Sequence, residues 1–121
     1  LPPGLEFFGD FARVWRERGQ DVIFRGAPHF IVASAPVGAL VGAPDCLIAL
    51  SYFELFAHSL GVGTVWDGMA KWAINDILPQ MKGRLGIPDD HAIGYAMAFG
   101  WPAVKYQRGV KRAPHKVILV K

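Results

Sequence analysis

The feature that most constrains the fold is a predicted helix that is apolar around nearly its whole circumference. Asp45 can cap or start it, and it ends at Leu60 before Gly61. Large apolar side chains occupy every side of it: Leu47, Ile48, Leu50, Tyr52, Phe53, Leu55, Phe56 and Leu60. Such a helix lies at the centre of a fold or between two subunits. Its length and its Glu54 and His58 argue against a membrane span, which needs roughly 20 apolar residues.

The whole chain carries more apolar surface than one small domain can bury. It has 121 residues, of which 52% are hydrophobic, and its formal net charge is +3. A domain of this length buries only about two thirds of the surface that its unfolded chain exposes. We therefore expect part of the apolar surface to face a partner subunit.

Three polar residues form a narrow stripe on the apolar helix. Ser51, Glu54 and His58 are spaced at i, i+3 and i+7. This spacing favours a local Glu54–His58 pair with a buried hydroxyl beside it. A proton-handling site is the alternative, but it needs a third partner that the sequence does not show.

The clearest predicted strand has one bulky face and one nearly bare face. Ile93, Tyr95, Met97 and Phe99 alternate with Ala92, Gly94, Ala96 and Ala98. A bare face lets a helix backbone approach closely, and the apolar helix is the natural candidate. Further strands are predicted over His29–Ala35 and Val117–Val120, and helices over Leu5–Arg18 and Met69–Leu78. Phe8, Phe11, Ala12 and Trp15 should turn the first helix towards the core.

Several common sites are excluded by spacing. Gly61-Val62-Gly63 begins like a dinucleotide fingerprint, but Trp66 stands at the third glycine position and a helix precedes the segment. The four histidines are scattered, so we expect no metal site. Cys46 is the single cysteine, and we expect it to be a small, buried hydrophobic residue. A reducing compartment is therefore allowed, and we expect a cytoplasmic protein.

Two features could meet a ligand. The turn Trp66-Asp67-Gly68 offers backbone N–H groups beside an aromatic ring, which is a weak indication of a planar heterocycle. The end of the chain carries six of the thirteen basic residues and no acid after Asp90. Such a tail attracts an anion, namely a nucleotide phosphate, a nucleic acid or an acidic lipid surface, or is simply solvated. Its cations are Lys105, Arg108, Lys111, Arg112, Lys116 and Lys121.

The order of short motifs resembles the FMN-dependent nitroreductase family. The motifs are Arg25-Gly26-Ala27-Pro28 before an apolar strand, Leu60–Gly68 after the apolar helix, Gly86-Ile87-Pro88, Ala98–Pro102 and Arg112-Ala113-Pro114. Each is weak alone, but five in family order make a specific match. The stretch Asp67–Trp72 is most similar to members that carry a ferredoxin-like domain ahead of the flavin domain.

The resemblance implies an α+β fold in which helices flank a central, mostly antiparallel sheet. Residues 1–121 would be the C-terminal portion of a single flavin domain, so that the fold is incomplete in this segment. The chain begins Leu1-Pro2-Pro3, and we expect it to be a segment of something longer. Family members are interlocked homodimers that bind FMN at the subunit interface, which agrees with the excess of apolar surface.

Carried over by position, the resemblance assigns six cofactor-binding residues. The backbone N–H groups of Asp67 and Gly68 would face N5 and O4 of the flavin, while Thr64 and Trp66 would shape the wall beside its ring. Arg112 and Lys111 would contact the FMN phosphate. No side chain is expected to be catalytic, because the flavin carries the reaction.

The resemblance implies a ping-pong oxidoreductase that takes reducing equivalents from NAD(P)H, or from another electron donor, and reduces nitroaromatic, quinone or similar electron-poor acceptors. No nucleic acid and no membrane are expected as partners. Two alternatives stay open: a relative with other flavin chemistry, such as dehalogenation or flavin destruction, and a non-catalytic dimeric module whose basic tail holds an anionic partner.

Overall fold

The structure is a computed structural model that describes residues 1–120, so that Lys121 lies outside the described residues. Within these residues, four α-helices, one π-helical turn and three strands follow each other in sequence. They are α1 (Phe7–Arg18), β1 (His29–Pro36), α2 (Gly42–Ser59), β2 (Gly63–Trp66), α3 (Gly68–Trp72), the π-helical turn (Ala73–Ile77), α4 (Met81–Arg84) and β3 (His91–Gly100).

The three strands form one antiparallel sheet with β3 in the middle. β1 pairs with β3 from His29 opposite Phe99 onwards, and β2 pairs with the end of β3 from Gly63 opposite Gly100. Helices pack against this sheet, which confirms the predicted α+β class with a central antiparallel sheet. With only three strands, the sheet is small and its two outer strands keep one edge each unpaired within residues 1–120.

The apolar helix packs on β3 as the bare face predicts. A Cβ atom added to Gly94 would lie 2.4 Å from Cβ of Cys46 and 2.6 Å from its Sγ. Only glycine therefore allows α2 to approach β3 this closely. Cys46 and Leu50 are buried in this contact layer, which confirms the interpretation of Cys46 as a small buried hydrophobe.

α2 begins three residues earlier than predicted, at Gly42 instead of Asp45. The sequence prediction missed this start because proline is usually taken as a sign that a segment is not helical. Within the first turn of a helix, however, backbone N–H groups have no intrahelical acceptor, and proline costs little there. Asp45 lies in the first turn, where the helix dipole favours an acidic side chain.

The segment after β2 departs from the predicted continuous helix over Met69–Leu78. It starts at Gly68 and widens after Trp72 into the π-helical turn Ala73–Ile77. Within that turn the Asn75 side-chain amide donates to the Ile93 carbonyl at 2.9 Å and accepts from the Ile93 N–H at 3.0 Å. The pairing of β2 with β3 ends at Trp66, opposite Met97. Asn75 thereby supplies hydrogen-bond partners to the β3 backbone at Ile93, where β2 no longer does.

α1 is amphipathic as predicted and ends at Gly19, which adopts the expected left-handed conformation with φ 62°. Phe8 is buried, but the expectation that Trp15 faces the core is wrong, since Trp15 is 58% exposed. Helical spacing places Trp15 on the apolar face correctly. Within residues 1–120, however, that end of the face lies along an open groove.

Two surfaces account for much of the apolar excess. The outer face of α2 exposes Leu47, Ile48, Tyr52, Leu55 and Phe56. The segment 103–120 forms no helix or strand and is exposed throughout, so the strand predicted over Val117–Val120 is not formed. Its apolar residues pair with no strand among residues 1–120.

Candidate functional site

A cleft of about 440 Å³ opens where β2 meets α3. This volume lies within the usual range for sites that bind small molecules. Its walls come from the loop before β1, the end of β2, the start of α3 and the middle of β3. The residues that matter for its chemistry are Arg25, Trp66, Asp67, Gly68, Lys71 and Tyr95.

The Trp66 ring is held from two sides. Its Nε1 donates to Glu54 Oε2 at 3.0 Å, and the ring meets Tyr95 edge-on with centroids 5.3 Å apart. The other carboxylate oxygen of Glu54 accepts from Thr64 Oγ1 at 3.2 Å. The carboxylate on α2 therefore fixes two side chains of β2, and the indole is preorganised as one wall of the cleft.

The predicted Glu54–His58 pair is wrong. Both Glu54 oxygens are taken by β2, while His58 is exposed and makes no side-chain hydrogen bond to any residue between 1 and 120. Ser51 donates to the Leu47 carbonyl at 2.7 Å, one turn back along the helix, and is exposed. Helical spacing predicts only partners within one or two turns of the same helix. The two hydrogen bonds of Glu54 instead join it to residues ten and twelve positions away.

Asp67 caps the start of α3 from a buried position. Its Oδ1 accepts from the Ala70 N–H at 2.9 Å, and the residue is only 4% exposed. The other oxygen, Oδ2, is buried without a hydrogen-bond partner among residues 1–120. Burial raises the pKa of the Asp67 carboxyl, and the Ala70 N–H offsets this in part. The charge of Asp21 raises the pKa further and that of Arg25 lowers it.

The two backbone N–H groups expected to meet a ligand differ. The Asp67 N–H donates to the Ala96 carbonyl at 2.9 Å and continues the pairing of β2 with β3. The expectation that it points at a ligand is therefore wrong for this structure. The Gly68 N–H is at the first position of α3 and has no acceptor among the described residues. It is the backbone donor that the turn leaves available.

Glycine at position 68 brings the start of α3 against β3. A Cβ atom added there would lie 3.0 Å from Tyr95 Oη, closer than side chains normally pack. The turn and the Tyr95 side chain are therefore in direct contact, and a Cβ atom at position 68 requires the Tyr95 hydroxyl to move by a few tenths of an ångström.

Two cations line the cleft, and sequence reasoning missed both. Lys71 Nζ lies 5.3 Å from the centre of the Tyr95 ring, within the range of a cation–π contact. Arg25 has a left-handed backbone with φ 55°, which is uncommon for a residue other than glycine. Asp21 closes this loop by accepting from the N–H groups of Ile23, Phe24 and Gly26. Aspartate side chains commonly accept from backbone N–H groups a few residues ahead in turns, so Asp21 was the sequence signal for such a loop.

The structure brings together three of the six predicted cofactor-binding residues. Trp66, Asp67 and Gly68 line the cleft, and Thr64 lies beside it with its hydroxyl on Glu54. Lys111 and Arg112 lie in the exposed segment 103–120, which does not bring them to the cleft. Their role in phosphate binding stays a prediction.

A comparison with protein families decides the relationship. The sequence matches the nitroreductase family over residues 9–101. The chain belongs to the nitroreductase family. The matched range contains most of α1, the whole sheet, α2 and the cleft, and it ends before the basic segment.

Solved structures of the family share this fold. A nitroreductase with bound FMN from Desulfitobacterium hafniense DCB-2 is 26% identical, with a TM-score of 0.68 over 90% of this chain. A nitroreductase with bound FMN from Bacteroides fragilis NCTC 9343 is 23% identical, with a TM-score of 0.68 over 94% of this chain. An FMN-dependent nitroreductase from Clostridium difficile R20291 is 16% identical, with a TM-score of 0.68 over 93%.

The chain is shorter than these relatives. It spans 58% of the Desulfitobacterium protein, 67% of the Bacteroides protein and 70% of the Clostridium protein. No curated protein matches the sequence. None of the helices within residues 1–120 is long and apolar enough to cross a membrane.

Proposed function

We propose that this chain is the C-terminal portion of a flavin domain and that the complete protein is an FMN-dependent oxidoreductase. The observation that carries the proposal is the unpaired Gly68 N–H, which lies beside the fixed Trp66 ring in a cleft of a nitroreductase-family chain. The FMN bound to the Desulfitobacterium relative supports the choice of cofactor.

The cleft fits an isoalloxazine edge in three respects. The Gly68 N–H offers one hydrogen-bond donor, as a flavin nitrogen or carbonyl oxygen requires. Trp66 and Tyr95 supply flat apolar walls, and Glu54 keeps the indole in place. The volume of about 440 Å³ accommodates part of a cofactor of this size.

Bound FMN would supply reversible hydride chemistry, which no side chain of this chain provides. The residues of the chain bind and orient it. Gly68 donates its N–H to the ring edge, Trp66 and Thr64 form the wall, and Asp67 holds the start of α3 through its bond to the Ala70 N–H. Lys111 and Arg112 hold the phosphate by charge-assisted hydrogen bonds.

A homodimer accounts for the outer face of α2. Its exposed apolar side chains have no counterpart within residues 1–120, and a second copy would cover them. The dimer would also give the segment 103–120 a surface on which to fold. We place the complete protein in the cytoplasm, with NAD(P)H as electron donor and electron-poor nitroaromatics or quinones as acceptors.

The first experiment identifies the cofactor. The complete protein is purified, denatured and tested for released flavin by mass spectrometry, and the holoprotein is then titrated with NADH and NADPH under anaerobic conditions. We expect one FMN per chain and bleaching of the flavin absorbance by at least one donor. A protein that neither retains nor takes up FMN contradicts the proposal.

A pair of variants at Gly68 separates the effect of losing its N–H on FMN binding from the effect of adding a side chain. Both Gly68→Pro and Gly68→Ala introduce the Cβ atom that meets Tyr95, but only proline removes the N–H. Proline is tolerated at the first position of a helix. We expect FMN to bind Gly68→Pro about fivefold more weakly than Gly68→Ala, the worth of one hydrogen bond. Equal affinities would show that the Gly68 N–H does not meet the flavin.

The basic segment keeps a second candidate open. Lys105, Arg108, Lys111, Arg112 and Lys116 all lie on an exposed chain without packing partners, as in a module that docks on a polyanion. Binding to heparin by a flavin-free protein, with a steep loss in salt, would favour this alternative.

A further inference from the structure

We propose that Asp67 is a positioning residue of the cofactor site whose carboxyl takes up a proton when FMN occupies the cleft. Protonation of Asp67 and binding of FMN then favour each other. The inference rests on the proposed function, because FMN is the ligand. It concerns the charge of a side chain that the turn buries, and it is independent of the kind of molecule that reacts there.

The Asp67 carboxyl has too few hydrogen-bond donors for a buried charge. Asp67 is the only polar or charged residue that is buried among residues 1–120. Its Oδ1 accepts one bond, from the Ala70 N–H, while its Oδ2 is buried without a partner among the same residues. An ionised carboxylate offers about four acceptor sites, and a buried polar atom that lacks a partner is uncommon in a folded protein. Protonation removes the buried charge, which is the costly part of this arrangement.

The charged groups around Asp67 do not compensate for its burial. Burial raises the pKa of the Asp67 carboxyl, the charge of Asp21 raises it further, and the charge of Arg25 lowers it. No ion pair among residues 1–120 joins Asp67 to Arg25 or to Lys71. The Lys71 ammonium group instead lies over the Tyr95 ring. The ionised form of Asp67 therefore depends on water in the cleft for part of its stabilisation.

A flavin in the cleft disfavours the ionised form of Asp67 in two ways. Asp67 lines the cleft, so a ring placed there displaces water that solvates the carboxylate. In the proposed function the Gly68 N–H, on the next residue, donates to a ring nitrogen or oxygen, and that acceptor atom carries a partial negative charge. Glu54, the acid on α2, already accepts from Thr64 and Trp66 on the other side of the turn. Asp67 is therefore the carboxyl whose pKa should rise when the cleft is filled.

The sign of the pH dependence follows from this second rise. The pKa of Asp67 lies above its ordinary value in the flavin-free protein and higher again in the complex. The affinity for FMN is therefore greatest below the flavin-free pKa and falls as the pH rises from that value to the pKa of the complex. Between the two values, binding takes up protons. Reciprocity requires the protonated protein to bind FMN more tightly by the same factor.

Calorimetry counts these protons. The complete protein, freed of its flavin, is titrated with FMN from about pH 4.5 to pH 8 in two buffers that differ in ionisation enthalpy. The FMN phosphate also exchanges protons, so the count is compared with that of Asp67→Asn, which keeps a capping side chain but does not titrate. We expect the unaltered protein to take up as much as one proton more per FMN than the variant, with a maximum in mild acid. Equal counts at every pH overturn the inference.

The affinities give a second measure on the same samples. Over this pH range the Kd of FMN should rise about tenfold more in the unaltered protein than in Asp67→Asn for each unit by which FMN raises the pKa of Asp67. Asp67→Ser also keeps a capping oxygen and should match Asp67→Asn, so that either variant serves if the other fails to fold. A Kd that follows pH in the same way in all three proteins contradicts the proposed linkage.

A matched control separates the buried carboxyl from net charge. Asp89→Asn removes the same group from an exposed loop outside the cleft. Its proton count and its pH profile should equal those of the unaltered protein. If Asp89→Asn lowers the count as much as Asp67→Asn does, net charge explains the uptake and the inference fails.

The same titrations distinguish this inference from the proposed function. A protein that binds FMN with one proton count in all variants keeps the proposed function and loses the role of Asp67. A protein that binds no FMN at any pH loses both.

Discussion

The β2–α3 turn and the basic segment 103–120 both carry predicted cofactor-binding residues, but only the turn is organised within this chain. Around the turn, Glu54, Tyr95 and Ala96 each bind or contact a residue of the cleft. Lys111 and Arg112 lie on an exposed segment without regular secondary structure. Residues whose partners are within the described chain are preorganised, whereas the tail needs a surface that the single chain does not supply.

The largest effect on stability is expected at Glu54, which organises the turn. Glu54→Ala removes the acceptors of Trp66 Nε1 and Thr64 Oγ1 together. We expect the free energy of unfolding of the flavin-free protein to fall by about 2 kcal/mol, measured by urea denaturation. Glu54→Gln keeps one acceptor and should lose about half as much. A loss below about 0.5 kcal/mol in Glu54→Ala would show that the turn is not fixed from α2.

Arg112→Ala tests the opposite behaviour in the tail. The free energy of unfolding of the flavin-free protein should change by less than about 0.5 kcal/mol, since Arg112 is exposed. FMN binding to the complete protein should weaken by about 1–3 kcal/mol, the worth of a charged hydrogen bond. Lys116→Ala serves as the control on the same segment. Flavin retention equal to that of the unaltered protein would contradict the assignment of the phosphate site.

The smallest effect concerns the charge on Asp67. Burial raises its pKa, so the folded state prefers the protonated carboxyl, and the stability from this preference is present at low pH. It is lost as the pH rises through the raised folded pKa. Asp67→Asn keeps a capping side chain without this titration. At neutral pH the variant should be more stable by about 1 kcal/mol, and the difference should vanish in acid.

Chemical denaturation of both proteins from acid to neutral pH checks the sign of the stability difference between Asp67→Asn and the unaltered protein. If Asp67→Asn is less stable at neutral pH than in acid, relative to the unaltered protein, the carboxylate has a partner in solution that residues 1–120 do not provide.

The parts of the fold that sequence predicts well are those set by local pattern. The bare face around Gly94 indicated where α2 would pack, and the contact with Cys46 shows why. Local pattern failed for Trp15, which lies on the apolar face of α1 but along an open groove. Spacing tells which side of a helix is apolar, but it cannot tell whether another element covers that side.

In the candidate site, too, sequence predicted what local pattern sets and missed what depends on distant residues. The position of the turn at Trp66–Gly68 came from motif order, whereas its hydrogen bonds did not. Glu54 was paired with its helical neighbour because spacing reveals only local partners, and the actual partners are on β2. Arg25 and Lys71 became visible only when folding placed them around one cleft. Long-range placement of this kind is a property of the assembled sheet and not of any single segment.

A crystal structure of the complete protein grown with FMN tests the central claim most directly. We predict that the isoalloxazine lies in the cleft, with the Gly68 N–H within about 3.2 Å of a ring nitrogen or carbonyl oxygen. We also predict that the segment containing Lys111 and Arg112 is folded against a second copy. A flavin bound away from the Trp66–Gly68 turn, or a monomer whose own side chains fill the cleft, would contradict the account.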